Sequence, residues 1–363
     1  MAAASCGGTN PGGPKTTEIA VTAVSPNTGT SFGGTTLTIT GTGFSTGVTV
    51  TVGGTPATDV TFNSSTSITA KTPAHIAGAA EVKVSAGAKS GTLPNAFTYV
   101  KAVTTANTPP VVSALTITPQ RPKQPVTMAT IGDRITLTVS VNDAETPAGN
   151  LTYEWTANPT LGTFTGTGAS VQWTAPATVT SAQTVLLLLT VVEKYQEADA
   201  QGLPINREHR IQQSAVLKVH DSVKEIGDMA VDFLRLFSDS SKQAVEVLHN
   251  FSQTCDEGKG YRDEFKDVND HRAAVTITDY TVSAAVVTMN FKSPQACVYG
   301  TGPADACASV PVRWVDRSKT TGAAGGAQGT DYVSAVYEST GWRLCHSSFS
   351  GTSLLTGKPV FIR

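Results

Sequence analysis

The chain has 363 residues, long enough for two or three domains that each bury a core of their own. Its net charge is -2 and it carries no basic stripe, which argues against nucleic acid as a partner. Charged residues make up only 15% of the chain, and the deficit falls on residues 1–110, which hold five lysines, no arginine and three acids.

In chain order, the first feature is Ala3-Ala4-Ser5-Cys6 followed by Gly7-Gly8. It resembles the end of a bacterial lipoprotein signal, in which small residues precede a cysteine that becomes lipid-modified. Ala3 stands where that pattern wants a leucine-like residue, and the charged and apolar parts of a leader do not precede it here. The expectation is that Met1 replaces a natural leader and that Cys6 is the lipidation site. Residues 7–17 are a Gly/Pro tether that would lift the first module off the membrane. One acyl chain anchors only marginally, so stable attachment requires the full modification. Nowhere do eighteen consecutive apolar residues occur, so a lipid is the one membrane contact expected.

Residues 18–100 are short strands separated by turn signals. Ile19 leads to Pro26, Gly33-Gly34 follow, and then come Leu37-Thr-Ile-Thr-Gly41, Val50-Thr-Val-Gly53-Gly54, Ser67 to Pro73, Val82-Lys-Val-Ser and Phe97-Thr-Tyr99. This spacing argues a β-sandwich. The order resembles the IPT/TIG family of immunoglobulin-like modules over essentially its whole length. The resemblance implies a binding or spacer role and places the burden of proof on any catalytic claim.

A second linker, Val103 to Pro110, leads into residues 108–220. Val112 to Pro119 alternates, Ile135 to Val141 is a clean period-two strand, and Leu151 to Trp155, Ser170 to Thr174 and Val185 to Val192 follow. The run Val141 to Pro147 leading into Leu-Thr-Tyr-Glu-Trp155 resembles PKD-like and other bacterial Ig-like domains, which implies that Trp155 packs between two sheets. Residues 196–213 are polar and read as a long loop, or as an ordered hairpin packed on the next domain. Asp143 and Glu145, near Asp133 in sequence, are two or three carboxylates without the ligand spacing of a calcium loop, so a solvated turn is the better account.

At Asp221 the period changes. Val223, Ile226, Ala230, Phe233, Leu234 and Phe237 fall on one helical face, with Asp221 or Ser222 as cap and Glu225 suited to a capping box. A short helix from about Ser240 to Phe251 is expected, and then strands near residues 273–277, 281–291, 310–315, 332–338 and 342–347. Helices followed by a sheet argue an α+β domain over 221–363. Its ending, Tyr332-Val-Ser-Ala-Val-Tyr-Glu338 through Gly341-Trp-Arg-Leu-Cys345, resembles the NTF2-like cone fold. The fold class is therefore multidomain and mainly β: two Ig-like sandwiches and then an NTF2-like α+β domain.

Five cysteines are present, and Cys255, Cys297, Cys307 and Cys345 lie in the last third without CxxC or a neighbouring His pair. That composition excludes a zinc site by spacing and favours two disulfides in an oxidising compartment. Three connectivities are open. Cys297 with Cys307 closes most easily around a Gly/Pro/Asp loop, which leaves Cys255 with Cys345.

Gly29-Thr-Ser31-Phe-Gly33 matches a nucleophile-elbow string but sits in a sandwich turn with no helix after it, a chance match. The six histidines are scattered, so neither a metal nor another cofactor is implied. If the NTF2-like resemblance holds, the curved sheet and helices enclose a pocket. Trp342, Leu344 and His346 share a strand face by period two, Trp314 shares its face with Val310 and Val312, and Tyr280 or Asp279 would reach the same space. Aromatics on such a face are usually core, so catalysis is the minority reading.

The expected protein is a non-enzymatic bacterial surface or periplasmic lipoprotein. Its sandwiches act as spacer and docking surface, and it binds, adheres to or structures the cell envelope or an appendage. Its partners are an envelope or extracellular protein or a glycan. The alternative is a secreted enzyme or small-ligand binder using Tyr280, Trp314, Trp342 and His346, with the sandwiches as carbohydrate- or surface-targeting modules.

Overall fold

Alternation of apolar and small polar residues builds most of this chain, because a strand whose side chains alternate can bury one face and wet the other. The computed structural model describes residues 18–289, 291 and 304–362. Cys6 and the tether therefore lie outside the described residues, as does Cys297. The described residues form two compact units: residues 18–110, 143–151 and 192–210, and residues 111–142, 152–191, 211–289, 291 and 304–362.

In the first unit, Thr36–Thr42 shows a strict exposed–buried alternation, with Leu37 and Ile39 fully buried. It pairs antiparallel with Ala20–Ser25 and Ser67–Lys71. A five-stranded sheet, in which Gly78–Ala86 lies between Thr49–Val52 and Lys89–Val100, supplies Val50, Val52, Val82, Val84, Phe97 and Tyr99 to the same core. Each such side chain contributes about 1.5–3 kcal/mol on burial.

The second unit begins with two four-stranded sheets. Val111–Thr118, Arg134–Asn142, Ser170–Thr174 and Thr163–Thr165 form one. The other orders Met128–Thr130, Pro204–His220, Gln183–Ala198 and Thr152–Asn158, the first pair parallel. The tryptophan sealed in this core is Trp173, which is fully buried and donates from Nε1 to Leu161 O at 3.1 Å. Trp155, expected there, is half-buried at the edge of the cluster and donates to Gly168 O. Its strand is a sheet edge, which leaves one flank of the ring uncovered.

The polar stretch 196–213 is not a long loop. Strands Gln183–Ala198 and Pro204–His220 leave a turn of only five residues, closed by Asp199 Oδ1, which accepts from the amides of Gln201 and Leu203. Polar alternation on a two-sided exposed hairpin hides the strand signal. Within the first unit this hairpin end is held by Ser31, whose Oγ donates to Gly202 O and accepts from the Ala102 amide at 2.8 Å. The serine of the elbow-like string is therefore a fully buried structural latch.

Helix α1, Ser222–Ser238, is capped by Asp221, whose carboxylate accepts from the Lys224 amide at 3.1 Å. Glu225 does not close a capping box; it faces His220 Nδ1 at 2.8 Å, while His220 Nε2 meets the Tyr337 hydroxyl at 3.0 Å. Ile226, Ala230, Phe233 and Leu234 are buried, whereas Val223 is 51% exposed. Helix α2 covers only Ala244–Val247. Helix α3, Lys259–Ala274, was not expected: it is strongly polar, and only Gly260, Glu264 and Val268 are buried, a stripe one residue wide.

These helices pack on a sheet ordered Val275–Val282, Ala306–Ser318, Ala324–Glu338, Gly341–Ser353 and Pro359–Ile362, with Val286–Met289 also pairing to Ala306–Ser318. All of its pairings are antiparallel. Cys255 and Cys345 form the expected disulfide, with Cα atoms 5.8 Å apart. It ties the turn before α3 to the sheet. Gly260 sits so close to this bridge that an added Cβ would lie 2.3 Å from Cys345 O. The second proposed pairing, Cys297 with Cys307, has one member outside the described residues.

Candidate functional site

Between the helices and the sheet lies a cavity of about 350 Å³. Three sources of side chains wall it, each placed by simple periodicity. Helix α1 sends Phe233 and Phe237, one turn apart. Helix α3 sends Glu264, Asp267, Asp270, His271 and Ala274, whose three- and four-residue spacing keeps them on one face. The sheet adds Tyr280, Trp314, Asp331, Ser347, Ser348 and Phe349.

The polar end is a carboxyl pair joined through one serine. The Ser347 amide donates to Glu264 Oε1 at 2.5 Å, and Ser347 Oγ donates to Asp331 Oδ1 at 2.9 Å. Burial raises the Asp331 carboxyl to about 7, against the pull of its hydrogen bonds from Ser347 and the Ser348 amide. Burial likewise drives Glu264 well above the carboxylate range, and the neighbouring Asp331 adds to the shift. Asp267 moves up for the same reason, and burial pushes His271 down toward its neutral form. The Tyr280 hydroxyl is raised by burial, then by Asp331.

The aromatic end is built by contact among rings. Trp314 meets Phe349 edge-on at 4.7 Å, and its Nε1 donates to Asp316 Oδ2 at 2.9 Å. Phe237 lies 4.9 Å from the His271 ring.

Of the four pocket residues expected from sequence, Tyr280 and Trp314 line this cavity, and Trp342 and His346 do not. The cause is a register shift. Ala335 pairs with Leu344 but Val333 pairs with Ser347, so Gly341–Ser353 carries one extra residue there. This bulge ends the phase set by Trp342 and Leu344 and brings Ser347 and Phe349 to the inner face. His346 is left 3.5 Å from Asp256 beside the disulfide. Trp342 is core, packed on Tyr337 and Phe291. Asp279, adjacent to Tyr280, points the other way and pairs with Arg313 at 2.7 Å.

Sequence reasoning missed Glu264 and Asp331, though each left a signal. Asp331 is in phase with the buried Val333 and Ala335, and Glu264 falls four residues from both Gly260 and Val268.

No group of three or more His, Cys, Asp or Glu side chains among the described residues is arranged to hold a metal ion. Asp143 Oδ1 accepts from the amides of Glu145 and Thr146, and Glu145 accepts from Thr108, so these carboxylates serve local turns. Asp133 is buried against Arg121 at 2.6 Å.

Comparison with known proteins bears on the first unit. Residues 20–99 match the IPT/TIG domain family, and an immunoglobulin-like module of that kind is a binding or structural element. Fibrocystin-L of Mus musculus is 51% identical over 81 residues, 22% of this chain but only 2% of its own length. Among solved structures, the plexin A4 extracellular region is similar over 45% of this chain and 13% of its own, at 17% identity and a TM-score of 0.22. SGBP-B from a complex xyloglucan utilization locus in Bacteroides uniformis covers 94% of this chain and 67% of its own, at 12% identity and a TM-score of 0.19. These structural scores are too low to carry an argument about the C-terminal cavity. The disulfide and the immunoglobulin-like domain are consistent with an exported protein, and no helix among the described residues is long and apolar enough to cross a membrane.

Proposed function

We propose that this chain is a non-enzymatic, exported binding protein of a bacterial envelope. The second sandwich is PKD/Ig-like, and the C-terminal α+β domain, NTF2-like in its helix and sheet order, takes a small ligand. The β-modules act as spacer and docking surface, and Cys6 carries a lipid anchor. The observation that carries the ligand-binding reading is the cavity between α1, α3 and the sheet: aromatic walls, a few convergent polar groups and carboxyls shifted by burial. An apolar fluorophore, N-phenyl-1-naphthylamine, titrated into the full chain should bind at one saturable site. Ala274→Trp, which fills the cavity wall, should abolish that site while the circular dichroism stays native. Linear, non-saturable uptake would remove the reading. For the anchor, expression behind a lipoprotein leader should give a membrane-bound chain that Cys6→Ser releases, and equal partitioning of the two would overturn it.

One observation favours an acid–base enzyme in the same cavity. Asp331 is held near 7 beside a second buried carboxyl, and burial pushes His271, elsewhere on the same cavity wall, toward its neutral form, shifts of the kind that proton transfer at neutral pH uses. Against it, His346 lies off the cavity, and no hydrogen bond among the described residues joins Tyr280 to Asp331. Recovery of bound ligand unchanged keeps the binding reading, and its Asp331-dependent consumption replaces it.

A further inference from the structure

Apart from one imidazole, one phenol and serine hydroxyls, the polar side chains of the cavity are carboxyls. No Lys, Arg, Asn or Gln lines it among the described residues. Its carboxyl groups come from two walls, and ionised carboxylates accept hydrogen bonds without donating them.

Beside Asp331 on the same sheet stand the rings of Tyr280, Trp314 and Phe349, the last its cross-strand partner, and the faces of such rings attract positive charge. We infer that the cavity binds a small organic cation, a protonated amine or quaternary ammonium with an apolar body, its charge placed between the Asp331 carboxylate and the aromatic wall. This assignment rests on the ligand-binding reading above and deepens it. An anion would meet carboxyls with no cationic side chain to offset them. A polyhydroxylated sugar would find few side-chain donors for its many hydroxyl oxygens. A bare metal ion would find no cluster of three ligating groups among the described residues. A volume of about 350 Å³ suits an organic body at the lower end of ligand pockets. With His271 pushed by burial toward its neutral form, the imidazole on α3 does not repel such a ligand.

The test uses the full chain loaded with N-phenyl-1-naphthylamine at pH 7.5. Two competitors of one shape are compared: phenyltrimethylammonium and its uncharged carbon counterpart, tert-butylbenzene. The cation should displace the probe at a concentration about tenfold or more below the hydrocarbon, the size expected of a desolvated cation–π and carboxylate contact. In Asp331→Asn that ratio should fall toward one. Equal displacement by the two compounds in the wild-type chain, with the probe bound, overturns the cation assignment and leaves the ligand-binding reading standing. Failure of the probe itself to bind overturns both. Displacement by magnesium or calcium chloride at concentrations matching phenyltrimethylammonium also overturns it, because the organic body would then contribute nothing.

Discussion

Replacing Asp331 by asparagine should stabilise the α+β domain, increasingly so as pH rises. The folded-state value of this carboxyl is about 7, against 3.8 for a free aspartate. The folded chain therefore holds a proton between those values that the unfolded chain has released. A carboxyl whose folded value is raised costs nothing below about 3.8, destabilises progressively as pH climbs, and reaches its full cost above 7. About three pKa units correspond to roughly 4 kcal/mol at the upper limit. Asparagine never ionises, and it surrenders part of the hydrogen bonding from Ser347 and Ser348, a loss of about 1 kcal/mol that does not vary with pH. The pH-dependent part is thus the cleaner quantity. Between pH 5 and pH 8 the advantage of Asp331→Asn should grow by about 2.5 kcal/mol. Hydrogen exchange of amides in Ala324–Glu338 and Gly341–Ser353, corrected for intrinsic rates, isolates this domain from the sandwiches. Protection relative to wild type should rise by about fifty- to a hundredfold across that interval. A difference constant within about 0.5 kcal/mol would mean that Asp331 titrates as an ordinary exposed carboxylate, and the account of the cavity's polar end would fail.

Other consequences are as concrete. The Cys255–Cys345 bridge spans 90 residues, so Cys255→Ser with Cys345→Ser should cost the α+β domain about 4–5 kcal/mol by loop closure, read by guanidinium unfolding; a loss below about 1 kcal/mol would contradict this. Glu193, its side chain fully buried in the first unit, accepts from Asn107 at 2.8 Å and from Thr146 at 2.6 Å and faces His209 at 3.1 Å. Glu193→Leu should release the linker 103–110, so that trypsin cuts after Lys101 at least about tenfold faster; unchanged cleavage would show that Glu193 does not hold it. Trp173→Phe should destabilise the second sandwich by about 2 kcal/mol or more and Trp155→Phe by less than about 1 kcal/mol, and the reverse order would contradict the assignment of the core tryptophan.

How far the fold was legible depended on how apolar each element's buried face is. Leu37 and Ile39 in strict alternation, or Ile226, Ala230 and Phe233 at helical spacing, declare their elements because the buried face is wholly hydrophobic. Helix α3 does not, since its buried stripe includes a glycine pressed against the disulfide and a glutamate facing the cavity. The hairpin at 183–220 is obscured where both of its faces turn polar. The site was half legible for a related reason. Tyr280 and Trp314 line the cavity, whereas the period-two phase joining Trp342 to His346 breaks at the 345–346 bulge, where one inserted residue reverses every later side chain and no residue type announces it. Asp331 was readable by phase with Val333 and Ala335, but a carboxylate in a strand suggests solvent, and only its packing shows otherwise.

The central claim, that the space between α1, α3 and the sheet is a ligand site, is tested most directly by fluorine NMR of the full chain carrying 5-fluorotryptophan. Of the four tryptophans, 155, 173, 314 and 342, the Trp314 resonance should move saturably as N-phenyl-1-naphthylamine is added, while those of Trp155 and Trp173 stay in place. A Trp314 signal that never shifts, or a saturable shift confined to the sandwich tryptophans, would contradict it.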